Sequence, residues 1–244
     1  MDKVLIENVD IPIESDNINL KGSIYYSSNT PSKAPWIIVL GGILYHRESK
    51  FIKYYSENFA NAGYYVLSFD YRGHGETIEE TGKLNYYEMV PKIYLDIHEV
   101  ICWILENQAN RILKEEIDLF GMSFGGAIIL THGYIDERAK TLISLCARYD
   151  YSSFRQFPQD LIENMSPRFF IEKNPVNNER ILIGHCKDDK RVPFENVIKI
   201  REHLGLSDDN VMIFDEGGHS FNGKRDKVFE CSIKFLKNYK KEKK

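Results

Sequence analysis

The stretch Gly121-Met122-Ser123-Phe124-Gly125-Gly126 sets one serine between glycines two residues before and two residues after it. This spacing fits a sharp turn from a strand into a helix, with the hydroxyl held clear of the backbone and free to attack. Such a turn leaves no room for side chains at Gly121 and Gly125, and Gly126 lets the following helix approach the strands. A serine hydroxyl is a weak nucleophile until a base takes its proton. Of the seven histidines, His219 is best placed to do so, in the glycine loop Gly217-Gly218-His219-Ser220-Phe221 that follows a predicted strand. The base in turn needs a carboxylate to hold its tautomer and stabilise the imidazolium. Two adjacent candidates, Asp188 and Asp189, follow another predicted strand. Asp189 is favoured by its spacing to Val192-Pro193, which leaves Asp188 to cap the turn or face solvent. Asp150 is a third candidate.

These side chains must be delivered by the elements around them. Residues 3–13 and 18–26 read as an opening hairpin with Asp16-Asn17 at its turn. After a breaker stretch rich in Ser and Pro, Trp36–Leu40 is a continuous apolar run, as expected for a strand buried on both faces. A helix is predicted over 51–61 and a strand over 64–69. A long amphipathic helix follows over 88–108, with Ile93, Ile97, Val100, Ile101 and Ile104 on one face. A short strand at 117–120 runs into Gly121, and a helix leaves near Gly125 and runs to about Gly133. Strands at 141–146, 180–184 and 211–215 and helices at 194–204 and 224–239 complete the pattern. Strands alternating with helices imply an α/β fold, a mostly parallel central sheet with helices on both faces. No repeat or low-complexity linker divides the chain, so 1–244 reads as one domain. Residues 148–179, which include Phe154, Phe157, Phe169 and Phe170, form a short cap insertion over the site.

Composition narrows the remaining classes. The chain has 244 residues, 43% hydrophobic and 28% charged, which disfavours disorder and fibrous repeats. A net charge of −4 gives no basic field for nucleic acid or for an anionic membrane. The densest apolar run, 36–44, is far short of the roughly 20 residues of a membrane span. The N-terminal segment has no signal-peptide core, so a cytoplasmic protein is expected. Cys102, Cys146, Cys186 and Cys231 form no CxxC pair. The first two and Cys231 sit among apolar residues, and Cys186 lies in the loop that carries Asp189. No histidine and carboxylate cluster has metal-ligand spacing, and no phosphate-binding glycine motif occurs, so neither a metal nor a cofactor is expected.

The chain resembles the α/β-hydrolase superfamily over nearly its whole length. Ser123, Asp189 and His219 follow the family's order of nucleophile, acid and histidine. Asp70-Tyr71-Arg72-Gly73-His74-Gly75-Glu76-Thr77 is similar to its D-x-R-G-x-G-x-S turn. Asp189 to Pro193 is similar to its D-x-x-V-P segment, and Gly217-Gly218-His219 to its terminal G-x-H. The resemblance implies an α/β-hydrolase fold and a catalytic triad of Ser123, Asp189 and His219. It also implies an oxyanion hole made by the backbone N–H groups of Phe124 and Ile43. Glycine stands at position 41, where relatives often have histidine, but a backbone donor does not need that side chain.

The implied activity is that of a serine hydrolase, most simply a carboxylesterase for short, medium or aromatic acyl groups. Size and layout are similar to small cinnamoyl esterases and monoacylglycerol lipases. A thioesterase, an acyltransferase or a small-peptide hydrolase would use the same triad, and a non-catalytic ligand-binding protein on this scaffold is the alternative outside enzymes. The expected partner is a small-molecule ester substrate, with no nucleic acid and no membrane span. The sequence leaves the oligomeric state open, a homodimer included. His46 and the cap residues Phe154 and Phe157 are the expected substrate contacts. His74 is expected to support its own turn, and His185 to serve loop structure.

Overall fold

The computed structural model describes residues 3–242. The chain divides into two compact units. The first comprises Met1–Leu119 and Asp136–Lys140, the second Phe120–Ile135 and Thr141–Lys244.

In the first unit, β1 (Val4–Ile13) and β2 (Ile18–Ser27) pair antiparallel from Val4 opposite Ser27 to Ile13 opposite Ile18. Asn17 closes this hairpin at φ 54°, a conformation that asparagine tolerates better than most residues. The unbroken apolar run becomes β3 (Ala34–Leu40), buried along nearly its full length. Helix α1 (Lys50–Asn61) buries Phe51, Ile52, Tyr55 and Phe59. Strand β4 (Tyr65–Phe69) is wholly buried and pairs antiparallel with β2 and parallel with β3. After the short α2 (Ile78–Thr81) comes α3 (Tyr86–Asn107). Its N-cap Asn85 accepts the Tyr87 N–H, and its apolar stripe, Val90 to Ile104, is buried.

The segment 70–77 is a polar knot in this unit. The buried Asp70 carboxylate accepts the Arg47 N–H at 2.6 Å, the Arg47 guanidinium at 2.5 Å and the Glu76 N–H at 2.9 Å. A Cβ on Gly75 would lie 2.1 Å from Asp70 Oδ2, and Gly75 has φ 49°, so only glycine fits there. Arg72 forks onto Asp96 at 2.6–3.1 Å.

Strand β5 (Ile112–Met122) runs from the first unit into the second. It starts earlier than the sequence pattern implies, because Leu113 and Lys114 are exposed and break the apolar run. The second unit then holds α4 (Phe124–Leu130) and α5 (His132–Ile135). These replace the single predicted helix. Thr131 interrupts it, with its hydroxyl bonded back to the carbonyls of Ala127 and Ile128 at 2.9 and 3.1 Å. Strand β6 (Ala139–Leu145) follows. The stretch 148–179 carries α6 (Gln159–Met165), one turn of 3₁₀ helix and α7 (Pro175–Asn178), with Leu161, Ile162 and Met165 buried. Next come β7 (Ile181–Cys186), α8 (Glu195–Leu204), β8 (Val211–Phe214) and α9 (Arg225–Glu242). Strands β6, β7 and β8 are parallel neighbours, with Leu145 opposite Gly184 and Cys186 opposite Phe214. No helix among the described residues is long and apolar enough to cross a membrane.

Candidate active site

Ser123 joins β5 to α4 at φ 58° and ψ −113°. A residue other than glycine or asparagine rarely occupies this region, and its neighbours must hold it there. They do so through the backbone. The Ser123 N–H donates to the Leu145 carbonyl at 2.7 Å, and its own carbonyl accepts the Ala127 N–H at 3.0 Å. The flanking glycines permit the turn. A Cβ on Gly121 would lie 2.8 Å from the backbone of Gly125, and one on Gly126 would lie 3.0 Å from the Leu145 carbonyl. The Phe124 N–H opens the helix directly after the serine.

His219 and Asp189 meet in the same unit, with His219 Nδ1 2.8 Å from Asp189 Oδ2. The other carboxylate oxygen, Oδ1, accepts the N–H groups of Arg191 and Val192 at 2.8 and 3.0 Å. Burial by itself pushes the Asp189 carboxyl up. Hydrogen bonds from His185, His219 and the two backbone N–H groups outweigh it and hold the group well below the ordinary carboxylate range. The carboxylate therefore faces Nδ1 in its charged form, which favours the tautomer with the hydrogen on Nδ1. In the neutral ring with its hydrogen on Nδ1, Nε2 is the acceptor nitrogen.

Asp188 meets the backbone of the same loop rather than the imidazole. Its carboxylate accepts the Gly217 and Gly218 N–H groups at 3.2 and 2.8 Å, pinning the loop that carries His219. Asp150 is also occupied elsewhere, by the Arg168 guanidinium at 3.3 Å and the Ser152 hydroxyl at 2.6 Å. Cys146, directly after β6, is buried beside the pair. Its Sγ, a carboxylate oxygen of Asp189 and a ring nitrogen of His219 lie within 4.8 Å of one another. Burial pushes this thiol well above its ordinary value. Burial also pushes the Cys186 thiol, at the end of β7, up to about 12. Both thiols therefore stay protonated at neutral pH.

The expected substrate contacts are divided between the two units. Phe154 and Phe157 stack on each other with centroids 5.5 Å apart, and the Arg148 guanidinium lies 4.9 Å from the Phe154 centroid. Both rings are half-buried, and this cluster is in the second unit. His46 lies in the first unit, exposed, in a turn closed by its N–H to the Ser49 hydroxyl. Ile43 is in the same turn region, where its carbonyl meets His74 Nε2; His74 Nδ1 contacts the Arg72 carbonyl at 2.8 Å. His74 thus ties its own turn to the loop after β3.

Two features escape a reading of the sequence. His185 sits on β7 rather than in a loop and is fully buried, with Nε2 3.3 Å from Asp189 Oδ2. Arg47 has nothing local to announce it, since its partner Asp70 is distant in the chain. For His185 the only signal is its spacing of four residues before Asp189 at the end of a predicted strand.

Comparison with known proteins bears on the family and the fold. The family model for "Serine aminopeptidase, S33" matches residues 35–180, which include the Ser123 turn and stop short of Asp189 and His219. An uncharacterized 31.7 kDa protein from Escherichia coli is 33% identical over 119 residues, 48% of this chain and 39% of that protein. Dipeptidyl aminopeptidase BIII of Pseudoxanthomonas mexicana is 22% identical over 90% of this chain and 34% of its own. The chain thus spans less than half the length of these relatives. Among solved structures, Est1E of Butyrivibrio proteoclasticus with ferulic acid bound superposes with a TM-score of 0.76 at 19% identity, covering 95% of this chain and 98% of that one. The Pyrococcus furiosus esterase Pf2001 gives 0.69 at 21%, over 96% and 90%. Acylaminoacyl peptidase of Pyrococcus horikoshii gives 0.73 at 20%, over 97% of this chain and 41% of its own. The fold is that of the α/β hydrolases, and the chain belongs to the serine aminopeptidase S33 family of serine hydrolases.

Proposed function

We propose that this α/β hydrolase cleaves carboxylic esters through an acyl-enzyme on Ser123. The observation that carries the reading is the pairing of His219 Nδ1 with Asp189 at 2.8 Å, in the unit that also holds Ser123 at φ 58°. In this reading His219 Nε2 takes the Ser123 proton as Oγ adds to the substrate carbonyl. The imidazolium then passes that proton to the leaving alcohol. Water, deprotonated by the same nitrogen, hydrolyses the acyl-enzyme and restores Ser123. Asp189 stays ionised throughout and stabilises the imidazolium. The N–H of Phe124 is the donor that this unit offers to the developing oxyanion. One such donor is worth about 3 kcal/mol in the transition state.

A peptide or amide substrate is the second reading, favoured by the family match and by the aminopeptidase relative. Turnover of p-nitrophenyl esters from acetate to palmitate, set beside peptide p-nitroanilides, separates the two. Ester cleavage that peaks at short or medium chains and is lost in Ser123→Ala is the expected result. Cleavage of anilides alone would overturn the ester assignment. Failure of a fluorophosphonate to label Ser123 would overturn both.

A further inference from the structure

The acid of the proposed triad has a second imidazole on it. His185 is fully buried at the end of β7. Its Nε2 lies 2.9 Å from the Val192 carbonyl and 3.3 Å from Asp189 Oδ2, the same oxygen that meets His219. Its Nδ1 is buried with no hydrogen-bond partner. These contacts assign the tautomer. Nε2 faces two acceptors and must carry the hydrogen. A hydrogen on Nδ1 would be a buried donor with nothing to receive it, which is costly. The Phe194 ring, edge-on with its centroid 6.0 Å away, packs against the imidazole.

We infer that His185 is a positioning residue for Asp189, its Nε2–H shared between the Val192 carbonyl and Asp189 Oδ2. The inference rests on the roles given above to Asp189 and His219. One ring thereby joins both ends of the segment 189–192. The Val192 N–H reaches Asp189 Oδ1 while the Val192 carbonyl receives the His185 hydrogen. The carboxylate is held in one rotation with Oδ2 toward His219. The second donor also draws charge from Oδ2, which weakens the pull of Asp189 on the His219 proton. Other groups facing Asp189 are the Cys146 thiol and the backbone N–H of Arg191. The Arg191 N–H and the Cys146 thiol have no hydrogen bond to the Val192 carbonyl among the described residues, where His185 Nε2 stands at 2.9 Å.

The test compares His185→Leu, which removes the donor, with His185→Gln, whose amide nitrogen reaches about as far as Nε2. In H185L, kcat on p-nitrophenyl butyrate should fall about tenfold with KM little changed. The acid limb of its pH profile should move to higher pH, because a carboxylate with one donor fewer holds the imidazolium more tightly. The low-field proton resonance of the His219 Nδ1–H should shift in the same variant. H185Q should recover most of all three. A folded H185L with an unmoved resonance and an unmoved acid limb would show a merely structural ring and overturn the inference. Should H185L not fold, ¹⁵N-histidine spectra of the wild type decide: His185 must appear as the Nε2–H tautomer, and the Nδ1–H tautomer refutes the bond. Neither spectrum needs turnover, so a failure of the hydrolase reading, seen as absent fluorophosphonate labelling, is told apart from a failure here.

Discussion

Asp188 and Asp189 are neighbours in the chain that hold one loop at two points. Asp189 Oδ2 meets the His219 ring at 2.8 Å, while Asp188 binds the backbone N–H of Gly217 and Gly218 at 3.2 and 2.8 Å. One carboxylate orients the imidazole and the other anchors the glycine backbone that carries it. Glycine at 217 and 218 is required for this, since both have positive φ, 136° and 60°.

The two acids should therefore separate on mutation. Asp189→Asn can no longer hold the Nδ1–H tautomer as an anion, and kcat should fall by about 10³- to 10⁴-fold. Asp188→Asn keeps an acceptor for the loop and should lose less than about tenfold. Steady-state kinetics of the pair check this, and the reverse ordering would move the acid to Asp188.

Gly121→Ala should damage stability and activity together. Its Cβ would press on the Gly125 backbone at 2.8 Å and on Ile129 Cδ1 at the same distance, and backbone cannot swing aside as a side-chain end can. A loss of about 1–3 kcal/mol is expected, read by urea unfolding. Fluorophosphonate labelling of Ser123 should slow in the fraction that remains folded.

The first unit carries its own acid-sensitive contact. Burial raises the Asp136 carboxyl, but hydrogen bonds from Arg138 at 2.7–3.0 Å and from His98 at 2.7 Å reverse this and hold it well below the ordinary range. A depressed folded-state value means the stabilisation is complete above the unfolded-chain value of about 4 and is lost as pH falls below it. Asp136→Asn should cost about 2 kcal/mol at pH 7, the partly exposed Arg138 limiting the loss, and progressively less toward pH 2. Urea midpoints measured across that range give the comparison, and parallel curves for the two proteins would refute it.

Much of this molecule is legible in one dimension, for a physical reason in each case. The strands β3 and β4 announce themselves because burial on both faces demands unbroken apolar runs. The turn at Ser123 is legible because its conformation excludes side chains at Gly121 and Gly126, and steric exclusion writes glycine into the sequence. The pairing of His219 with Asp189 rather than Asp188 follows from motif order and spacing.

Other features depend on residues that are distant in the chain and alike in type. Nothing local distinguishes Asp188, which holds a backbone 29 residues on, from a solvent-facing neighbour. Arg47 reads as one more surface cation until Asp70 and Glu76 close on it. His185 and Cys186 belong to β7 because pairing with β8 continues through Cys186 opposite Phe214, although the apolar run has already ended. The sequence by itself determined which chemistry is present and in what order along the chain. Only the tertiary structure decided that Asp189 is shared by two imidazoles, because His219 lies 30 residues further on and the fold brings it to the oxygen that His185 also faces.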